Sequence, residues 1–322
     1  MIREPVYVGI DVSKSELEIS VWPTGEALTV PNSGDGLSRL IELLIEWEAQ
    51  TVAFEHTGNM TRNLTDALRE AEIPSVILDS RKVRWFATVV GRSAKTDRLD
   101  AALIAQFAAT LKPNVSALPT AEERALADLV RRYRQLTVIA GGERVKHGQD
   151  HDAEVMRSLE AHRAWLKGDL TQLAAIIDAR IEARPDWRFR RDLIRSMPGC
   201  GPVFARVAIA ELPELGRTEH KRLVSLVGLA PFPKDSGQSR GKRRVRGGRF
   251  GVRAALYMSS VSATRTNPVM AAYYGRLVEA GKPRMVARVA TMRKMLIALN
   301  AMVRDGREWS PPKGPEAELL AS

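Results

Sequence analysis

Apolar residues alternate with polar ones, or run unbroken for four or five positions, through the first hundred residues; beyond that they recur every three or four. Residues 6–10, 17–22 and 27–30 read as strands joined by short turns, the pattern of an antiparallel meander. Leu37, Leu40, Ile41, Leu44 and Ile45 fall at helical spacing within 36–47. A short apolar strand over 51–54, a helix over 59–71, a buried strand over 75–78 and a helical or irregular stretch over 81–89 follow. A last helix over 94–111 ends the series, and Pro113 and Pro119 break what comes after it.

The order βββαβαβα, with a mixed sheet and helices on its faces, predicts a ribonuclease-H-like domain over 1–115. Residues 121–185 read as long helices with a narrow apolar stripe (Leu126, Leu129, Val130, Tyr133, Leu136, then Leu159, Leu166, Leu170, Leu173, Ile176, Ile177, Ile181). So narrow a stripe predicts a coiled-coil-like connector over 116–188 that also dimerises. Met197-Pro198-Gly199-Cys200-Gly201-Pro202 then joins two helical stretches as a helix-hairpin-helix. Its glycine amides, at Gly199 and Gly201, and the start of the second helix can hold a phosphate; a plain helical corner has the same pattern. Further helices at 221–227, 252–262, 268–280 and 284–303 place a mainly α domain over 189–308, with a flexible tail over 309–322. The fold class is therefore α/β plus α.

Charge divides the chain more sharply than it divides the composition. The whole of 322 residues carries 49 Lys+Arg against 38 Asp+Glu. Residues 1–110 hold 11 basic and 16 acidic side chains, which leaves 38 and 22 for the rest, so a net of −5 faces a net of +16. Residues 234–253 alone hold eight Lys or Arg, one Asp and five Gly. A basic run inside structured sequence points to a polyanion, and phosphate backbones are the commonest one. Arg240, Lys242, Arg243, Arg244, Arg246 and Arg249 are the first candidates for backbone contact, and Arg81, Lys82 and Arg84 form a second group. No apolar run reaches the ~18–20 residues of a membrane span, the start resembles no signal segment, and the single Cys200 rules out an internal disulfide. These features predict a cytoplasmic, nucleoid-associated protein.

Four carboxylates stand out by position. Asp11 ends the first strand, and Glu55 ends the strand expected beside it. Asp97 and Asp100 are three apart at the start of a helix, where they share a face and suit the helix dipole. Together they offer hard oxygen ligands to two Mg²⁺ ions (or Mn²⁺) about 4 Å apart, able to clamp both oxygens of a phosphodiester exchange. Singly, each is also an ordinary strand end or helix cap. His147 and His151 have metal-ligand spacing without a third ligand.

Ordered motifs run from the first strand to about Arg307: Val8-Gly9-Ile10-Asp11, Phe54-Glu55-His56-Thr57-Gly58, Lys95-Thr96-Asp97-Arg98-Leu99-Asp100, Gly228-Leu229-Ala230-Pro231, Asp235-Ser236-Gly237 and Gly247-Gly248-Arg249. With the Pro-Gly-Cys-Gly turn, they resemble the DEDD transposases of insertion sequences, family one-ten, which are relatives of the Piv invertase. The resemblance implies a Holliday-junction-resolvase-like (RuvC-like) first domain holding Mg²⁺ through Asp11, Glu55, Asp97 and Asp100. It further implies a serine nucleophile at Ser236, with Ser239 as the fallback. Recombination guided by a non-coding bridge RNA that pairs with target and donor DNA is implied as well, by homodimers pairing into a homotetramer.

Three functions remain distinguishable. The leading expectation is a recombinase that cleaves and rejoins strands through a covalent phosphoserine. A resolvase-type hydrolytic nuclease would use the same acids with water as the nucleophile. A non-catalytic nucleic-acid-binding protein would need no metal at all.

Overall fold

Alternate side chains of the first strand, β1 (Tyr7–Val12), enter two different cores. Val8, Ile10 and Val12 belong to one apolar cluster and Tyr7 to the other, so the strand is buried on both faces, as a central strand is. The computed structural model describes residues 4–55, 58–91, 97–115, 117–149, 151–232, 235–236, 239–240 and 244–311. The expected tail therefore lies almost wholly outside the described residues. Two compact units divide the chain, Met1–Ala121 and Glu122–Ser322.

In the first unit, β2 (Glu16–Trp22) and β3 (Ala27–Pro31) continue from β1 as the predicted antiparallel meander. Ser33 then caps α1 (Gly34–Glu46) by accepting from the Gly36 amide, and the helix buries Leu37, Leu40 and Leu44 at helical spacing. β4 (Thr51–Glu55) returns parallel to β1, and α2 (Arg62–Glu70) leads to β5 (Ser75–Leu78), parallel to β4. The stretch left open between helix and irregular chain is a helix, α3 (Ser80–Val89), capped by Asp79. α4 (Asp97–Leu111) completes the unit. The strand order is β3-β2-β1-β4-β5 with β2 antiparallel to β1, the mixed sheet of a ribonuclease-H-like domain. One face packs on Leu37, Leu40 and Leu44 of α1 and on Leu64 and Leu68 of α2. The other packs on Val83 of α3 and on Leu103, Ile104 and Phe107 of α4.

Contact between α4 and β1 is backbone to backbone. A Cβ built on Gly9 would lie 2.2 Å from the Ala101 carbonyl oxygen and 2.3 Å from the Ala105 amide nitrogen. Only glycine admits so close an approach.

The second unit is helical: α5 (Ala121–His147), α6 (Ala153–Ala183), α7 (Pro185–Ser196), α8 (Pro202–Glu211) and α9 (His220–Val227). Four two-residue strands follow, β6 (Pro231–Phe232), β7 (Asp235–Ser236), β8 (Ser239–Arg240) and β9 (Arg244–Val245). Three helices close the fold, α10 (Phe250–Thr266), α11 (Pro268–Glu279) and α12 (Arg284–Asp305). The helical stretch expected as a separate connector differs in one respect. Leu126 and Val130 of α5, with Ile177 and Ile181 of α6, lie in one core with Phe204, Leu223, Leu256 and Leu296. Its root is therefore part of the second unit. Farther out the two helices run antiparallel, tied by His147–Glu160 at 3.6 Å and His162–Glu143 at 3.4 Å. Among the described residues no helix is long and apolar enough to cross a membrane.

A methyl group at Gly9 has nowhere to go unless α4 moves off the sheet. Gly9→Ala is expected to lower unfolding free energy by about 1–3 kcal/mol, the usual cost of forcing bulk into a packed interface, read as a shift of the urea midpoint.

Candidate active site

Parallel pairing of β1 and β4 sets Ile10 beside Phe54. The next residue of each strand is an acid, so Asp11 and Glu55 stand side by side where the two strands reach the same edge of the sheet. Alternation puts them on the face of Gly9 and Ala53, the face onto which α4 docks. Both are half-buried, and the Val12 amide donates to Asp11 Oδ1 at 3.1 Å. Asp100, also half-buried, directly precedes Ala101, the residue whose carbonyl presses on Gly9. Asp97 opens α4, but its side chain lies outside the described residues.

Asp11 and Glu55 thus share one face of the sheet, and Asp100 lies in the first turns of the helix that packs on that face. Among the described residues no three His, Cys, Asp or Glu are already gathered as metal ligands. The donor chemistry still fits a hard divalent ion, because the groups at this edge are carboxylates supplied by adjacent strand ends and a helix start. His147 and His151 do not form a metal pair: His147 is tied to Glu160, and the His151 ring nitrogen contacts the Lys146 carbonyl oxygen at 3.0 Å.

Basic residues sort into three groups. Arg81, Lys82 and Arg84 are exposed on α3, and Arg81 forks onto the Asp79 cap at 2.8 Å, which holds the Asp79 carboxyl below its ordinary value. With them stands Trp85, 68% exposed, a residue the sequence pattern does not single out because its spacing matches the helix core. β5 leads straight into this helix, and Glu55 pairs with Leu78 at the end of β5. The α7–α8 turn forms the second group. Gly201 caps α8 and is exposed, whereas Gly199, at φ +97°, serves packing: a Cβ there would lie 2.5 Å from Ala263 of α10. Cys200 between them is buried, which pushes its thiol up to about 12 and leaves it inert.

The third group lies on a nested hairpin. β6 pairs with β9, and inside them β7 pairs with β8, so that Ser236 faces Ser239 in the last pair before the tip. Two-residue strands carry too little periodicity to be read from sequence. The side chains of Ser236, Ser239, Arg240 and Arg244, and the whole of Lys242 and Arg243, lie outside the described residues, as does His56. Arg246 is exposed.

Arg249 departs from its expected role as a phosphate contact. Its guanidinium donates two 2.6 Å bonds to Glu214 and one of 2.8 Å to the Glu211 carbonyl, and its own amide donates to the Leu226 carbonyl at 2.9 Å. Arg253 donates to the Gly247 and Val227 carbonyls. Between these anchors the backbone closes on itself, since a Cβ on Gly248 would lie 2.3 Å from the Gly228 nitrogen. The hairpin therefore rises from a fixed base that the run of basic residues alone does not reveal.

Comparison with known proteins gives two matches along the chain, the first of which runs past the first unit into α5. Residues 8–140 match a family model described as a transposase, the DEDD transposase model of IS110, and residues 191–275 match one described as the transposase IS116/IS110/IS902 family. The chain is 25% identical over 317 residues to the pilin gene-inverting protein of Moraxella bovis, covering 94% of this chain and 97% of that one. It is 32% identical over 183 residues to the insertion element IS900 uncharacterized 42 kDa protein of Mycobacterium paratuberculosis, covering 49% of this chain and 45% of the relative. With the insertion element IS110 uncharacterized 43.6 kDa protein of Streptomyces coelicolor it shares 25% over 246 residues, covering 76% and 57%. Thus it spans nearly all of the first relative and about half of the other two. The structure of T. thermophilus RuvC in complex with a Holliday junction substrate aligns at 18% identity and a TM-score of 0.25, over 34% of this chain and 96% of that one. That likeness is too slight to bear on the fold, which rests on the strand order.

Arg249→Gln keeps the polar character but loses the fork onto Glu214. The expected result is a loss of about 1–2 kcal/mol in urea unfolding, discounted for the partial exposure of the pair, with faster tryptic cleavage between 240 and 246.

Proposed function

This chain belongs to the IS110 family of transposases, and from that premise we propose that it is a DNA recombinase that cleaves and rejoins strands through a serine on its basic unit. One observation carries the reading. Strand pairing sets Asp11 and Glu55 abreast on the sheet face where α4 brings Asp100.

Asp11, Glu55 and Asp100, with Asp97, would hold divalent cations, Mg²⁺ in the first instance. Bound there, the ions supply charge to the scissile phosphate and to the oxygens that attack and leave it. The chain's own part is positional. β1 and β4 fix two carboxylates through their backbone register, and Gly9 lets α4 come close enough to add a third. In the second unit the Gly228–Gly248 contact and the Arg249–Glu214 fork hold the base of the hairpin that carries Ser236.

The proposed exchange balances without an outside energy source. Ser236 Oγ bonds to phosphorus, the P–O bond to the 3′ oxygen breaks, and the serine proton ends on that 3′ hydroxyl. Reversal with a different 3′ hydroxyl rejoins the strand and restores the serine. Because one phosphodiester replaces another, no nucleotide is consumed. Exposed cations at Arg81, Lys82, Arg84 and Arg246 would hold backbone phosphates. A bridge RNA would supply the sequence by base pairing, so the protein reads backbone shape rather than bases. Assembly into dimers and then a tetramer belongs to the same reading. Two features of α5 and α6 support a paired surface, since Val138 and Val145 are 76% and 64% exposed and Trp165 is 56% exposed.

The test is a nicked suicide substrate incubated with the full chain, its RNA and Mg²⁺, then resolved on a denaturing gel. A protein–DNA adduct mapping to Ser236 is expected, absent in Ser236→Ala. Asp11→Asn and Glu55→Gln should each slow its formation by about 10²–10³-fold, the equivalent of several kcal/mol of charge stabilisation. Cleavage without an adduct, surviving in Ser236→Ala, would instead establish the hydrolytic nuclease.

A further inference from the structure

Outside the hairpin, one more surface collects positive charge without compensation. From Arg265 to Lys294 the chain carries seven Lys or Arg and a single acid, Glu279. At the centre of this stretch the Tyr273 ring on α11 holds two cations at once. The Lys294 ammonium of α12 lies 3.9 Å from the ring centroid and the Arg276 guanidinium 5.4 Å from it. Among the described residues neither cation has a carboxylate partner. The neighbouring pair is different, because Arg288 over Tyr274 is tied to the Ser260 carbonyl and to Thr264 Oγ1, each at 2.8 Å.

Lys294 is half-buried and Arg276 exposed. Two like charges on one ring repel each other, and a half-buried ammonium loses part of its hydration, so the arrangement is stable only as far as the ring quadrupole offsets both costs. Burial first, and then Arg276, lower Lys294 to about 8. What the site lacks is an anion. An anion can reach it from solvent, because Arg276 is exposed.

We propose that Tyr273, Arg276 and Lys294 form a docking site for a backbone phosphate of a polynucleotide, on the α11–α12 face and separate from the serine hairpin. A phosphodiester oxygen placed between the two cations would relieve their repulsion and accept from both. The ring would act as the platform that orders them. Contacts of this kind are made to the backbone, so the site holds nucleic acid of any sequence. The inference rests on the reading of this protein as a nucleic-acid enzyme, but it concerns a surface that the strand exchange does not use.

The experiment measures anisotropy of a labelled RNA oligonucleotide and, separately, of a labelled DNA duplex against the full-length protein over a range of KCl. Wild type is compared with Arg276→Gln, Lys294→Gln and the double variant, each checked for an unchanged melting temperature and circular dichroism. Loss of the one phosphate contact that the two cations share should flatten the plot of log K against log salt by about 0.7 for a single strand or about 0.9 for duplex DNA. Whichever nucleic acid shows the change is the occupant. A folded double variant with the wild-type slope on both overturns the proposal and leaves the recombinase reading standing. If the contact between Tyr273 and Lys294 is needed for folding, the exposed Arg276→Gln alone decides, with an expected change of half that size and an unchanged slope as the contrary result. Wild-type protein that binds neither RNA nor DNA would overturn both readings together.

Discussion

A helix backbone lying directly on a strand backbone is the constraint from which the first unit follows. At Gly9 the absent side chain lets the Ala101–Ala105 turn of α4 settle on β1, and Asp100 comes with it. Without that approach α4 would ride on side chains at the usual helix–sheet distance, and the start of the helix would stand farther from the ends of β1 and β4. The other half of the arrangement is set by register. Asp11 and Glu55 are neighbours because two parallel strands end at the same edge, and this placement needs no contact between the acids themselves.

The second unit uses the opposite logic. Its core is a broad helical cluster into which the roots of α5 and α6 are built, and the segment that carries Ser236 is a small hairpin that could not hold itself up. Stability for the hairpin comes from below. Gly228 and Gly248 meet backbone to backbone, Arg249 is clamped on Glu214, and Arg253 takes up the Gly247 carbonyl. Basic residues in this run therefore divide by role, since those at the base shape the fold while Arg246 remains exposed. Charge counting cannot make that distinction. Opposite net charges on the two units are what the proposed function calls for, with carboxylates for metal ions in one unit and cations for phosphates in the other.

Much of this is legible in the sequence, for identifiable reasons. Long apolar strands and amphipathic helices carry their own period, so β1 to β5 and α1, α2 and α4 can be placed, and their order implies the sheet topology, while α3 stays open between helix and irregular chain. Asp11 and Glu55 are legible as strand ends, and the proline-glycine turn between α7 and α8 as a corner. The hairpin is not, since strands of two residues have no period and their pairing depends on the glycine contact at their base. Arg249 misleads because sequence shows its basic neighbours and hides Glu214, 35 residues away. Trp85 does not stand out because an exposed aromatic and a core one look alike at helical spacing. The pairing of Lys294 with Tyr273 and Arg276 exists only once two helices have been brought together.

The central claim is that Asp11, Glu55 and Asp100 act as one cation-binding set at the edge of the sheet. Titration of the full chain with Mn²⁺, following the loss of the free-ion signal by electron paramagnetic resonance, tests it without requiring DNA, RNA or turnover. Saturable binding by the wild type that is lost in Asp11→Asn and in Glu55→Gln, and weakened in Asp100→Asn, is the predicted result. Equal Mn²⁺ binding by the wild type and by folded Asp11→Asn and Glu55→Gln would contradict it.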